Sequence, residues 1–269
     1  MNDDAGTSTS DFTLLDRPEI LQFIFYPRRD LSAQPRVANA SSHLIPVDEG
    51  IFISCRFYSA HEKAPSILFF HGNGEIASDY DQIAPLFVQI GINLFVADYR
   101  GYGSSGGTPT FSAMMKDAHP VFDGFKRILR QNEYSGNLFM MGRSLGAAPA
   151  IELAFNYQDQ MGGLIIESGF ASVGRLVDLI GVPVETLGFN QRKLSFNVER
   201  IRSVIIPTLI IHGEYDNLIP LQHGRDLYQS SGAKDKRLLV IPGATHNDIF
   251  LVGMDDYLKT MKEFVATYS

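Results

Sequence analysis

Apolar and polar positions along the chain fall into a repeating two-part rhythm. Short apolar runs end in turn residues, and longer stretches with one apolar face follow them. The runs are Ser66–Phe70, Ile92–Ala97, Asn137–Met141, Gly163–Ile166, Val204–Ile211 and Arg237–Ile241. They are continuous rather than alternating, as in strands buried on both faces of a parallel sheet. Between them, apolar residues recur every three or four positions. Ile76, Tyr80, Ile83 and Phe87 form one such face, Phe111 to Leu129 a second and Phe250 to Val265 a third. That is the spacing of amphipathic helices packed on a sheet. Upstream, Leu44–Tyr58 reads as two strands around the turn Asp48-Glu49-Gly50. The alternation predicts an α/β fold with a mostly parallel twisted sheet and helices on both faces. Residues 1–12 read as disordered and 13–269 as a single domain. Segment 168–203, broken by Pro183, Gly181 and Gly188, reads as a short cap insertion.

Composition narrows the function. The chain has 269 residues and a net charge of −7, which counts against nucleic acid, whose binding rests on basic contacts to phosphate. Its one cysteine, Cys55, excludes an internal disulfide and a cysteine-rich zinc site. The polar start, Met1 to Asp11, lacks the apolar core of a signal peptide, and no apolar run approaches a transmembrane span. The expectation is a cytoplasmic protein with no transmembrane segment.

In open α/β sheets the chemistry lies at the carboxyl ends of the strands. Three turn motifs compete there. Gly101-x-Gly103-x-x-Gly106 has the form of a dinucleotide fingerprint, and Gly103-x-Ser105-x-Gly107 that of a nucleophile elbow. The first lacks the helix that should open at its last glycine, and the second lacks a strand running into its first. Gly142-Arg143-Ser144-Leu145-Gly146 has both flanks, the run Asn137–Met141 before it and a small-residue helix after it. Sharp strand–turn–helix geometry lifts a serine hydroxyl above a sheet, so Ser144 is the candidate nucleophile.

A serine nucleophile needs a base, and the base an orienting acid. Of seven histidines, His71 and His212 each end an apolar run and read as buried turn residues. His43, His61, His119 and His223 read as surface. His246 lies between the last strand and the last helix and is the candidate base. Asp216, in the loop after Val204–Ile211, is the candidate acid, with Glu214 and Glu167 as rivals. The order Ser144, Asp216, His246 is that of α/β-hydrolases. Oxyanion donors are expected from the backbone N–H groups of Leu145 and of Asn73, within His71-Gly72-Asn73-Gly74. No His/carboxylate cluster has metal-ligand spacing, and no cofactor is called for. Arg143 is expected to pair with Glu167 on the neighbouring strand.

Through HGNG (71–74), DYRGYGSSGG (98–107), GRSLGA (142–147), ESGF (167–170), HGEYDNLIP (212–220) and GATHND (243–248), the sequence resembles the α/β-hydrolase superfamily. It is similar to a branch joining bacterial serine aminopeptidase-like hydrolases with eukaryotic membrane-associated depalmitoylases. The resemblance implies an α/β-hydrolase fold, the triad Ser144, Asp216 and His246, and an oxyanion hole of Asn73 and Leu145. The depalmitoylases carry a cysteine-rich, lipidated N-terminus, and residues 1–54 here contain no cysteine. The expected activity is hydrolysis of a small-molecule ester or thioester, with aminopeptidase-like amide cleavage as the alternative and a non-catalytic binding protein as a third reading. Apolar residues of 168–203, among them Leu179 and Leu187, are expected to wall an acyl pocket.

Overall fold

The computed structural model describes residues 12–30, 34–174 and 194–269. Its strands are β1 (Ala40–Asp48), β2 (Ile51–Tyr58), β3 (Ser66–Phe70), β4 (Asn93–Ala97), β5 (Leu138–Arg143), β6 (Gly163–Glu167), β7 (Thr208–Gly213) and β8 (Lys236–Ile241). They form one sheet in the order β1-β2-β4-β3-β5-β6-β7-β8. The pairs β1/β2 and β2/β4 are antiparallel, and every later pair is parallel. The carboxyl ends of β3 to β8 therefore share one edge of the molecule. This is the α/β-hydrolase architecture that the sequence predicts.

The unbroken apolar runs serve two cores at once. Along β3, Leu68 and Phe70 enter one core while Ile67 and Phe69 enter the other. Helices α3 (Phe111–Gln131) and α4 (Ala147–Tyr157) cover the first face, with α5 (Phe196–Ile201) and α6 (Leu221–Ser230) beside them. The second face is covered by α2 (Ala84–Gln89), α7 (Ile249–Val252) and α8 (Met254–Thr267).

Several elements depart from the pattern. The face at Ile76–Phe87 is a 3-10 segment, Ala77–Gln82, followed by α2. Pro85, in the first turn of α2, has no N–H to continue the earlier turn. The last helical stretch divides into α7 and α8 at Gly253. The run Val204–Ile211 contributes to β7 only from Thr208, because Ile205 is exposed and its N–H bonds to Gln158 Oε1 at 2.8 Å. A 3-10 turn (Thr13–Asp16) and α1 (Pro18–Ile24) precede β1 with no forecast from periodicity. The ring of Phe12 packs on Phe111 and Phe196. Residues 175–193 of the expected cap, including Leu179 and Leu187, lie outside the described residues.

One buried amide closes the loop between β2 and β3. Asn93 Oδ1 accepts from the N–H groups of Ala60 (2.7 Å) and His61 (3.3 Å). Its Nδ2 donates to the carbonyls of His61 and Ala64, both at 3.0 Å, and lies 3.1 Å from Ser66 Oγ. Asn93→Leu keeps the bulk but orphans several backbone groups. Urea unfolding is expected to show a loss of about 3 kcal/mol. A loss under about 1 kcal/mol would mean that water replaces the amide.

Candidate active site

The turn from β5 into α4 is steric in origin. A Cβ on Gly142 would lie 2.2 Å from the carbonyl oxygen of Gly146, and one on Gly146 would lie 2.0 Å from that of Phe70. Only glycine fits either flank. Between them Ser144 adopts φ +51°, the left-handed region, where a residue with a Cβ is strained by about 1–3 kcal/mol. Pro149 sits in the first turn of α4, where its missing N–H costs little.

The three candidate triad residues come together. Ser144 Oγ lies 3.0 Å from His246 Nε2, and His246 Nδ1 lies 2.7 Å from Asp216 Oδ2. A carboxylate can only accept, so Nδ1 carries a proton, leaving Nε2 of the neutral ring to accept from the serine hydroxyl. All three residues are buried. Asp216 Oδ1 accepts from the N–H groups of Leu218 (3.0 Å) and Ile219 (2.8 Å). Its Oδ2 also lies 3.4 Å from His212 Nε2, which is 2.7 Å from the carbonyl of Ile219. Burial alone would raise the Asp216 pKa. Hydrogen bonds from His212 and His246, the His246 charge and the Ile219 N–H outweigh burial and hold the carboxyl below its usual range.

Arg143 points away from the serine into a charged network. Its Nε donates to Glu167 Oε1 at 3.0 Å, the pairing expected from the parallel register Arg143↔Glu167. Its Nη1 pairs with Glu75, and its Nη2 donates to the carbonyl of His246 at 2.8 Å. Tyr257 donates to Glu167 Oε2 at 2.6 Å, while Tyr80 and the Gly72 N–H both reach Glu75 Oε2. Burial works to raise the Glu75 pKa, but the Arg143 charge leads the interactions that lower it overall.

The Asn73 loop is tied down from an unexpected side. Asn73 Oδ1 accepts from the Tyr102 hydroxyl (2.7 Å) and from the Tyr26 N–H (2.8 Å). Tyr26 belongs to the segment after α1, in which Arg28 O accepts from the Gly103 N–H and Arg29 Nη1 donates to Ser105 O. Glu75 stands one residue beyond His71-Gly72-Asn73-Gly74, and that adjacency was the only signal for it in the sequence. Tyr26 carried none.

The rejected motifs are structural here. Ser105 is fully buried, and its hydroxyl accepts from the Ser54 N–H at 2.9 Å. His71 and His212 are buried, as expected. His223 is not at the surface: it is buried, and its Nδ1 accepts from the Ala171 N–H at 3.1 Å. Among the described residues, no group of three His, Cys, Asp or Glu side chains could hold a metal ion, and no helix is long and apolar enough to cross a membrane.

A family model described as serine aminopeptidase, S33, matches residues 61–187 and 181–250. The chain belongs to this family of hydrolases. Among its relatives, the alpha/beta hydrolase domain-containing protein WAV2 of Arabidopsis thaliana is 28% identical over 225 residues, covering 77% of this chain and 71% of that protein. The human alpha/beta hydrolase domain-containing protein 17B is 29% identical over 229 residues, covering 81% and 72%. Among solved structures, the Pyrococcus furiosus esterase Pf2001 superposes with a TM-score of 0.72 at 18% identity, over 90% of this chain and 98% of that one. The Paleococcus ferrophilus monoacylglycerol lipase superposes at 0.61 and 17% identity, over 81% and 99%. At such identities the superpositions establish the shared fold.

Two variants probe this site. Arg143→Met leaves Glu75 and Glu167 without their cation and is expected to cost about 3–5 kcal/mol in chemical unfolding. A double variant that also carries Glu167→Gln is expected to regain part of that loss. Asp216→Asn tests the acid limb. The folded-state pKa of Asp216 is depressed, so its contribution is complete above the unfolded value of about 4 and is lost as pH falls below it. The stability gap between wild type and variant should therefore narrow from pH ~6 to pH ~3. A constant gap would show that the carboxylate charge contributes nothing.

Proposed function

We propose that this protein is a serine hydrolase that cleaves carboxylic ester bonds through an acyl-enzyme. The observation that carries the reading is the continuous line of contacts from Ser144 Oγ through His246 to Asp216, ending on a serine in strained backbone. In this reading Ser144 Oγ attacks the substrate carbonyl while His246 Nε2 takes its proton. Asp216 holds the imidazole in the tautomer that accepts at Nε2 and stabilises the imidazolium that forms. The N–H groups of Leu145 and Asn73 donate to the oxyanion. His246 then returns the proton to the leaving alkoxide, and water, activated by the same imidazole, releases the acid.

Thioesters fit the same chemistry, since a thiolate leaves more readily than an alkoxide. The structural neighbours include an esterase and a monoacylglycerol lipase, which favours an ester over an amide. A serine aminopeptidase is the reading that the family description supports. The two are separated by turnover of p-nitrophenyl esters of graded chain length against aminoacyl-anilides.

Ser144→Ala is expected to abolish labelling by a fluorophosphonate probe and to lower ester turnover by about 10⁴-fold or more, with the fold retained. Ser105→Ala is expected to leave turnover within a few-fold. Labelling that persists in Ser144→Ala and disappears in Ser105→Ala would overturn the assignment.

A further inference from the structure

The histidine that opens the Asn73 loop is held between two acceptors. His71 is wholly buried. Its Nδ1 lies 2.8 Å from the carbonyl oxygen of Gly72, and its Nε2 lies 3.2 Å from Asp98 Oδ1. Carbonyl and carboxylate oxygens only accept. A neutral imidazole has one N–H, so it would turn a ring lone pair on one of these oxygens inside the core. With a proton on each nitrogen, both contacts become hydrogen bonds. The charges around the ring agree. Burial works to lower the His71 pKa, but the bond and charge of Asp98, the charge of Glu75 and the Gly72 carbonyl raise it overall. Tyr99 and Tyr102 face the ring with centroids 4.6 and 5.7 Å away. Arg143, the like charge beside Gly72, is paired with Glu75 and Glu167. On β2, burial and the Asp98 charge push the Cys55 thiol up, so it adds no charge.

Asp98 ties this ring to the far end of the loop. The same Oδ1 accepts from the Ala77 N–H at 2.8 Å. Residues 71–77 are thus fastened at both ends to one oxygen, with Asn73 and Glu75 between. Asp98 has little room to turn away, since a Cβ on Gly103 would lie 2.2 Å from its Oδ2. The Tyr99 hydroxyl adds a bond to the His71 carbonyl at 2.6 Å. We propose that His71 is held as an imidazolium and, clamped to Asp98, is a positioning residue for the Asn73 N–H. Loss of either ring proton sets a lone pair against Asp98 or the Gly72 carbonyl, and the start of the loop shifts.

The charge state stands by itself, whereas its bearing on turnover rests on the ester hydrolase reading. Neutron diffraction from a Ser144→Ala crystal at pD about 8 is expected to show deuterons on both ring nitrogens of His71, where an ordinary histidine of pKa about 6.5 is almost wholly neutral. Asp98→Asn and, separately, His71→Gln remove the charge and keep a polar group in place. In whichever variant keeps the wild-type circular dichroism spectrum, kcat for p-nitrophenyl esters is expected to fall about tenfold or more with KM within about threefold, because an oxyanion donor acts in the transition state. A single deuteron on the ring, or a deuteron on Asp98, would overturn the proposal. So would a folded variant whose kcat stays within about twofold of wild type, or in which KM alone rises. Ester turnover that survives Ser144→Ala would instead sink the hydrolase reading and leave the neutron result standing.

Discussion

The guanidinium of Arg143 holds four parts of the molecule in one arrangement. It grows from the end of β5, immediately before Ser144. It pairs with Glu167 at the end of β6, with Glu75 beyond the Asn73 loop, and with the carbonyl of His246. A buried charge is tolerated only where its partners sit at hydrogen-bond distance. The three segments that carry the candidate nucleophile, oxyanion donor and base are therefore fixed relative to one another by the same desolvated ion. Arginine suits the task because its planar fork serves several acceptors at once, which a lysine ammonium on a flexible stem would do less rigidly.

Around that ion the backbone is packed to contact. The elbow glycines allow the start of α4 to lie against the end of β3, which brings the loop bearing Asn73 beside the serine. The strain at Ser144 is held in place by the same close packing, since neither flank has room to relax. On the far side, Asp216 is gripped by two backbone amides and two histidines. The site rests on rigid strand ends, and this limits how far any of its groups can drift from hydrogen-bond distance.

Much of this was legible in the sequence because parallel strands bury both faces and leave unbroken apolar runs. Ser66–Phe70 corresponds to β3 residue for residue, and the motif around Ser144 stood out by its strand-then-helix context. The pairing of Arg143 with Glu167 followed from strand register alone. What escaped was decided by tertiary contact. Val204–Ile206 are as apolar as a strand but form an irregular connection in which the Ile205 N–H bonds to Gln158. His223 read as a surface residue and instead is buried, accepting from the Ala171 N–H. Glu75, Tyr26 and Tyr102 reach the site through contacts between residues far apart in sequence, and the local pattern does not encode those contacts.

The segment around Tyr26 has a wider consequence. It lies outside the stretch matched by the family model, 61–250, yet its backbone supports Asn73 and the Gly103 turn. Two acidic side chains extend the same brace, because Arg56, on β2, bridges Asp30 and Asp81. The stretch matched by the family model and the residues that support the Asn73 loop do not coincide. Relatives aligned over the common core can differ in what shores up the Asn73 loop while keeping an identical set of reacting groups. In this chain, the footing of the Asn73 loop includes a backbone N–H, that of Tyr26, from outside the matched stretch.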